Sequence, residues 1–228
     1  MKILLQGIVG STAYGLAREG SDVDRLGVFA HPTDYFWGLE KPADTIVEHE
    51  PDKTLHEVGK YVSLALKCNP TVLELLWLPE YELQSYWGWE LVDRRDCFLS
   101  EPYVRSAYGG YAKAQVERLK RRHAEGKEGF SSDTQKRTAK HARHCFRLLR
   151  QGRELLETGN ITLRLPDPET FWAFDTYSVQ DIVERFEEED LVFQAAKSIL
   201  PAEPDRGTIE EFLHDLRAHG TGTVFKAA

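Results

Sequence analysis

Asp22 and Asp24 stand two residues apart in the run GSTAYGLAREGSDVDRLGVF, which spans Gly10 to Phe29. On a strand, side chains at that spacing point to the same face, so the two carboxylates lie side by side. Like charges that close are costly unless a cation sits between them. A small divalent ion with a preference for hard oxygen ligands, Mg2+ or Mn2+, meets that need. Ions held in this way can bring a phosphoryl oxygen and an attacking hydroxyl together. Upstream, Gly10 permits a tight turn close to a ligand. The backbone N–H groups that follow it, with the Ser11 hydroxyl, can donate to phosphate oxygens at the start of a helical turn. The expectation is a nucleoside triphosphate (NTP) gripped at Gly10 and Ser11 and bridged through metal to Asp22 and Asp24. Tyr14, following the Gly-Ser loop, either covers the nucleotide or packs into the fold, and Ser21 joins the nucleotide-binding set. A D-x-D alone occurs in many acidic loops, and a Gly-Ser pair alone carries nothing. Their combination between two apolar strand candidates is what makes the stretch informative.

This pattern resembles the signature of the polymerase-beta-like nucleotidyltransferase superfamily: Gly-Ser, a spacer, then Asp-x-Asp on a strand. Together with HEVGKYVSLALKCNPTVLELLW, which spans His56 to Trp77, it is similar to the predicted nucleotidyltransferases of the RNA-ligase-associated branch. That branch carries Gly-Ser-x-Ala-Tyr-Gly, Ser-Asp-x-Asp-x-x-Gly-Val, and Asn-Pro followed by Leu-Glu-Leu-Leu. Later, KHARHCFRLLRQGRELLETGNITL resembles its helical Lys, His and Arg pattern, which falls on Lys140, His144 and Arg147. The likeness touches most of residues 7 to 165. It implies the fold, a two-metal transfer of a nucleoside monophosphate from an NTP such as ATP to a hydroxyl, and release of pyrophosphate. It leaves the acceptor open between an RNA end, a partner protein and a small molecule. A non-catalytic, antitoxin-like module is the alternative from another functional class.

The resemblance also implies a third carboxylate on a neighbouring strand, ligating one metal and activating the hydroxyl. Glu48, Glu50, Asp52 and Glu57 are in range. Asp52, just ahead of KTLHEVGKYV, is the preferred catalytic and metal-binding candidate, with Glu50 and Glu57 still open. Pro51 interrupts the strand on which Glu48, Glu50 and Asp52 would otherwise share a face.

The chain that must position these groups has 228 residues and a formal net charge of -8. The apolar fraction of 41% and the charged fraction of 29% are those of a globular protein. No apolar run approaches the length needed to span a membrane. Ile3-Leu4-Leu5, followed so soon by Gly7, is too short for a signal peptide. Cys68, Cys97 and Cys145 are scattered and odd in number, reading as small hydrophobes in a reducing, cytoplasmic setting rather than as disulfides or zinc ligands. The acidic average hides an asymmetry: Lys113 to Arg153 holds 13 Lys or Arg against 4 Asp or Glu. A positive segment in an acidic protein can hold a phosphate-rich partner.

Residues 3–9, Val23–Ala30, Thr45–His49 and Lys53–His56 read as strands. Val58 to Leu66 repeats at helical spacing, and Asn69-Pro70 starts a second short helix. Longer helices are predicted over about 102–125, 131–158, 179–199 and 208–218, the last capped by Thr208 and Glu211. Asn160 to Leu165 reads as a brief extended piece. The outcome is an α/β (α+β) nucleotidyltransferase domain with a small mixed sheet over 1–98, followed by a helical domain over 99–228. On the helix from Ser131, Ala139, Ala142, Phe146 and Leu149 form a core seam. Lys136, Lys140, Arg143, Arg147 and Arg150 form a positive ridge beside it. Lys140, His144 and Arg147 are candidates for the phosphates. Arg143 and Arg150, with Lys120-Arg121-Arg122, are candidates for an RNA backbone.

Overall fold

A computed structural model of the chain describes residues 1–124 and 132–220. Two compact units emerge: Met1–Leu99 together with the segment from Glu203 onward, and Ser100–Ala202.

The first unit opens with β1 (Lys2–Ile8), a single helical turn α1 (Gly10–Tyr14), and β2 (Arg25–Ala30). β3 (Thr45–His49) and β4 (Asp52–Glu57) follow, then α2 (Val58–Ala65) and α3 (Pro70–Leu73). A two-residue strand β5 (Leu83–Gln84) and α4 (Tyr86–Asp93) complete the run before Leu99. The sheet order is β3-β4-β2-β1-β5, with β2–β4 parallel and the other pairs antiparallel. β2 lies at the centre, and from Leu26 to Ala30 every residue is buried. Such a run marks a strand covered on both faces. The core around it includes Leu4 and Leu5 of β1, Leu55 of β4, and Val58, Tyr61 and Leu73 from the helices, all within 1% of full burial. α4 presses so closely on β1 that a Cβ at Gly88 would stand 2.1 Å from the Leu4 carbonyl oxygen.

The second unit is helical. α5 (Glu101–Val104) runs through a π-helical stretch, Arg105–Gly109, into α6 (Gly110–Ala124). α7 (Ser132–Thr158) packs on α6, and α8 (Pro168–Trp172) and α9 (Val179–Ala195) close the bundle. The seam expected on α7 is in place: Ala139, Ala142, Phe146 and Leu149 are buried, with Cys145 and Leu148 beside them. The ends of this unit are tied together. Ser100 Oγ donates to the Ala202 carbonyl, and Glu101 N to that of Pro201.

The chain then returns to the first unit as α10 (Arg206–Asp215). The sequence grouped this helix with the helical region. Its Ile209 and Phe212 are instead buried in the sheet-bearing unit, where Asp205 N donates to the Cys97 carbonyl. An amphipathic helix shows that it has an apolar face but not what covers it. Its cap also differs. Asp205 accepts from Thr208 N, one of the strongest capping residues standing where the helix begins. A full capping box occurs at Ser178 and Asp181 of α9. Between residues 160 and 165 alternate side chains, Ile161, Leu163 and Leu165, are buried, yet among the described residues no strand pairs with them. No described helix is long and apolar enough to cross a membrane.

Candidate functional site

Gly10 is the hinge of the N-terminal site. Its φ is +68°, a left-handed backbone that β-carbons disfavour, and a Cβ there would lie 2.5 Å from Asp24 Oδ2. The carboxylate of Asp24 thus rests on the bare α-carbon of Gly10, in a cradle that any side chain would fill. The backbone holds the two together as well: Val9 N donates to the Asp24 carbonyl at 3.0 Å. Sequence reasoning placed the Asp pair within a strand. In the structure β2 starts at Arg25, so Asp22 and Asp24 precede it. The reason is that β1 ends at Ile8 and the chain turns there into α1, leaving no longer a ladder to join.

Ser11 lies within α1, half-buried, and its carbonyl accepts from Leu16 N at 2.8 Å. Ser21 closes a turn: its hydroxyl accepts from Arg18 N and its own N–H donates to the Arg18 carbonyl, each at 2.9 Å. Tyr14 faces the core rather than the surface, and its hydroxyl donates to the buried carboxylate of Glu74. Glu74, an acid inside an apolar helical run, finds its partner far away in the chain. It reaches back across sixty residues of chain to α1, locking the turn that presents Gly10.

For the third carboxylate the structure separates the candidates. Glu57 is buried, with one oxygen accepting from Gly59 N at the start of α2 and the other held by Arg217 at 2.6 Å. It is committed to the fold. Glu48 pairs with Lys53 at 2.8 Å. Asp52 is exposed at the first residue of β4. The parallel ladder pairs Arg25 with Lys53, so one step earlier Asp24 and Asp52 stand at the same end of neighbouring strands. Among the described residues, however, no three His, Cys, Asp or Glu side chains gather into a group able to hold a metal ion. Asp22 and Asp24 are chemically suited to Mg2+, which is commonly bound through one or two carboxylates with substrate phosphates completing its shell.

The helical unit carries a second polar centre. Arg147 is 4% exposed, donating to Gln151 Oε1 at 2.6 Å and to His144 Nδ1 at 3.0 Å. Burial, then the neighbouring charge of Arg147, His141, Lys140 and Arg118, lowers the His144 pKa to about 4. The imidazole is therefore neutral at pH 7, and because Nδ1 accepts, its proton sits on Nε2, a donor without a partner among the described residues. His141 donates from Nδ1 to Gln115 Oε1 at 2.7 Å, and its pKa is also lowered, by burial and then Arg122, Arg118 and Lys140. Gln151 Nε2 is buried with no partner among the described residues. Donors dominate here, an arrangement chemically suited to an anion that accepts hydrogen bonds. The sequence pattern names Lys140, His144 and Arg147; the structure brings Arg118 and Gln151 to the same centre, which the pattern does not name. The spacing of Gln151 four residues beyond Arg147, one helical turn on, was the available signal.

The positive ridge of α7 is broken up. Arg143 is bound to Asp175 at 2.6 Å and lies over the Trp172 ring, and Arg150 is bound to Asp167 at 2.8 Å. Arg147 is buried. The neutralising acids come from other parts of the chain, so a helical wheel does not reveal them.

Among curated proteins nothing matches the chain. One family model does, over residues 1–168, from β1 through the sheet, the Asp pair and the whole of α7. That span is most of the chain and includes each motif that carried the resemblance. A nucleotidyltransferase-like fold of the polymerase-beta superfamily, joined to that match, makes the chain a member of the RNA repair pathway DNA polymerase beta family.

Proposed function

We propose that the protein transfers a nucleoside monophosphate from an NTP to a hydroxyl at an RNA end. The hydroxyl oxygen attacks the α-phosphorus, the bond to the β-phosphate breaks, and pyrophosphate leaves with the electron pair. The observation that carries this reading is the Asp24 carboxylate seated on Gly10, two residues beyond Asp22, in a chain of this family. Asp22 and Asp24 are the residues that would hold Mg2+ or Mn2+, whose chemistry is charge neutralisation on the phosphates. Gly10, Ser11 and Ser21 form the nucleotide side of the site, and Tyr14 acts through α1 as a positioning residue. Asp52, at the matching end of β4, is the group best placed to take the proton of the attacking hydroxyl. Lys140, His144 and Arg147 offer donors to phosphate within the helical unit. The family description supports RNA as the acceptor.

The test is incubation with each labelled NTP, Mg2+ and short RNAs of defined ends. Label should enter RNA, and Asp24→Asn should reduce transfer at least about a hundredfold, the scale for removing transition-state charge stabilisation. Transfer undiminished in Asp22→Asn/Asp24→Asn would refute the site. NTP binding without transfer would make the protein a non-catalytic module. Label entering protein rather than RNA would reassign the acceptor.

A further inference from the structure

Within the helical unit α7, α8 and α9 enclose a cleft of about 260 Å³ that the carboxylate site does not use. Its floor is aromatic. Phe146 and Phe174 stack at 4.6 Å between centroids, and Phe171 meets Phe174 edge-on. The guanidinium of Arg185 lies 5.9 Å from the Phe146 ring centre and 6.0 Å from that of Phe174. Arg185, Glu189 and Phe193 recur every four residues along α9, so one helical face delivers a cation, an acid and a ring to the same cleft. From the other side α7 adds Arg150 and Arg153. Arg150 is tied to Asp167, whereas Arg153, half-buried, has no partner among the described residues.

These groups select against simple ligands. A purely apolar molecule has no use for three guanidiniums around the cleft. A bare phosphate gains from Arg153 but nothing from the phenylalanines, and meets the carboxylate of Glu189. A nucleotide satisfies all of them. Its base presents a planar face to phenylalanine and guanidinium, which stack on bases in single-stranded nucleic acids. The base edge carries N–H donors that a carboxylate can accept. Its phosphate pairs with arginine through charge-assisted hydrogen bonds. The volume is that of one such unit rather than of a long strand. We propose that this cleft binds a single nucleotide, its base stacked on the Arg185 guanidinium beside the Phe146–Phe174 pair, its edge read by Glu189 and its phosphate held by Arg153. The ligand is either a free nucleoside monophosphate or the terminal nucleotide of an RNA strand. The site stands independently of the metal and NTP assignment at Asp22 and Asp24.

The test is calorimetry on the full chain in EDTA, with AMP, GMP, CMP and UMP, the matching nucleosides, inorganic phosphate, and a five-nucleotide RNA carrying a 5′-phosphate. Monophosphates should bind at least about tenfold tighter than nucleosides, the worth of one charge-assisted hydrogen bond. Inorganic phosphate at equal concentration should not displace them. Arg153→Gln should lower monophosphate affinity about tenfold and leave nucleoside affinity alone. Glu189→Gln should change the ranking of the four bases. If the five-nucleotide RNA binds more tightly than the monophosphates and depends on Arg153, the strand end is the ligand; if it binds no better, the free nucleotide is. Asp24→Asn should leave this binding intact, so the cleft and the transfer site fail separately. No binding of any monophosphate at millimolar concentration would overturn the proposal, as would displacement by inorganic phosphate or native affinity in both Arg153→Gln and Arg185→Gln.

Discussion

Gly10 and Gly20 share a left-handed backbone, with φ of +68° and +80°, but only Gly10 has a carboxylate against its α-carbon. The pair separates conformational strain from displacement of Asp24. Either substitution by alanine should cost about 1–2 kcal/mol of stability through the backbone. Gly10→Ala should also push Asp24 aside and reduce transfer by about a hundredfold or more, whereas Gly20→Ala, which opens onto free space, should retain it. Thermal melts beside the labelled transfer assay decide this, and equal transfer in the two variants would show that the close approach has no catalytic meaning. Glu57 gives the opposite prediction. Its carboxylate caps α2 and receives Arg217, so Glu57→Gln should destabilise by about 2–4 kcal/mol in urea titrations, leaving a partly buried guanidinium uncompensated. Glu57→Leu with Arg217→Met should recover part of that loss. At this scale the sequence was legible where two residues are neighbours in the chain, as with Asn69, which caps the helix that Pro70 begins. It was not where the partner is remote: nothing local distinguishes the structural Glu57 from the exposed Asp52, or points Tyr14 towards Glu74.

Helices and strands were legible where one side is wet and the other dry. The α7 seam announces itself, while β2, buried from Leu26 to Ala30, has no wet side, and β5, two residues long, offers no period to detect. The ridge on α7 shows what periodicity omits. With Arg143 and Arg150 held by Asp175 and Asp167, Lys136 and Lys140 are the exposed cations left on that face without partners among the described residues. Charge reversal at both should flatten the log–log salt dependence of RNA binding by about one unit, since each single-strand phosphate contributes a slope near -0.7. Arg143→Ala should instead cost about 1 kcal/mol of stability and leave the slope alone. Fluorescence anisotropy at four salt concentrations reads the first effect and denaturation the second. The inner face of the same helix predicts a pH response. His144 titrates near 4 in the fold and near 6.5 unfolded, so the unfolded chain takes up its proton first as pH falls. Stability is unaffected above about pH 7 and declines from there towards pH 4, by on the order of 3 kcal/mol for this group. His144→Gln keeps an acceptor for Arg147 without the titration, and should flatten that decline in urea titrations across the range.

At the scale of the molecule, the two-part composition of an acidic chain with one basic segment was visible in the residue counts, and the boundary near residue 99 in the change from strand to helix pattern. The return of α10 was not, because a break in sequence and a break in packing are different things. That return carries a consequence in time. During synthesis the sheet-bearing unit is made first and finished last: the whole of Ser100–Ala202 must be polymerised before Ile209, Phe212 and Leu216 can reach their places. Until then the nascent sheet-bearing unit keeps an apolar seat beside α2 and Trp87 open to water, and Glu57 waits for its guanidinium. A chain halted before Arg206 should therefore be prone to aggregate, and a synthetic peptide of residues 203–220 added in trans should rescue its solubility.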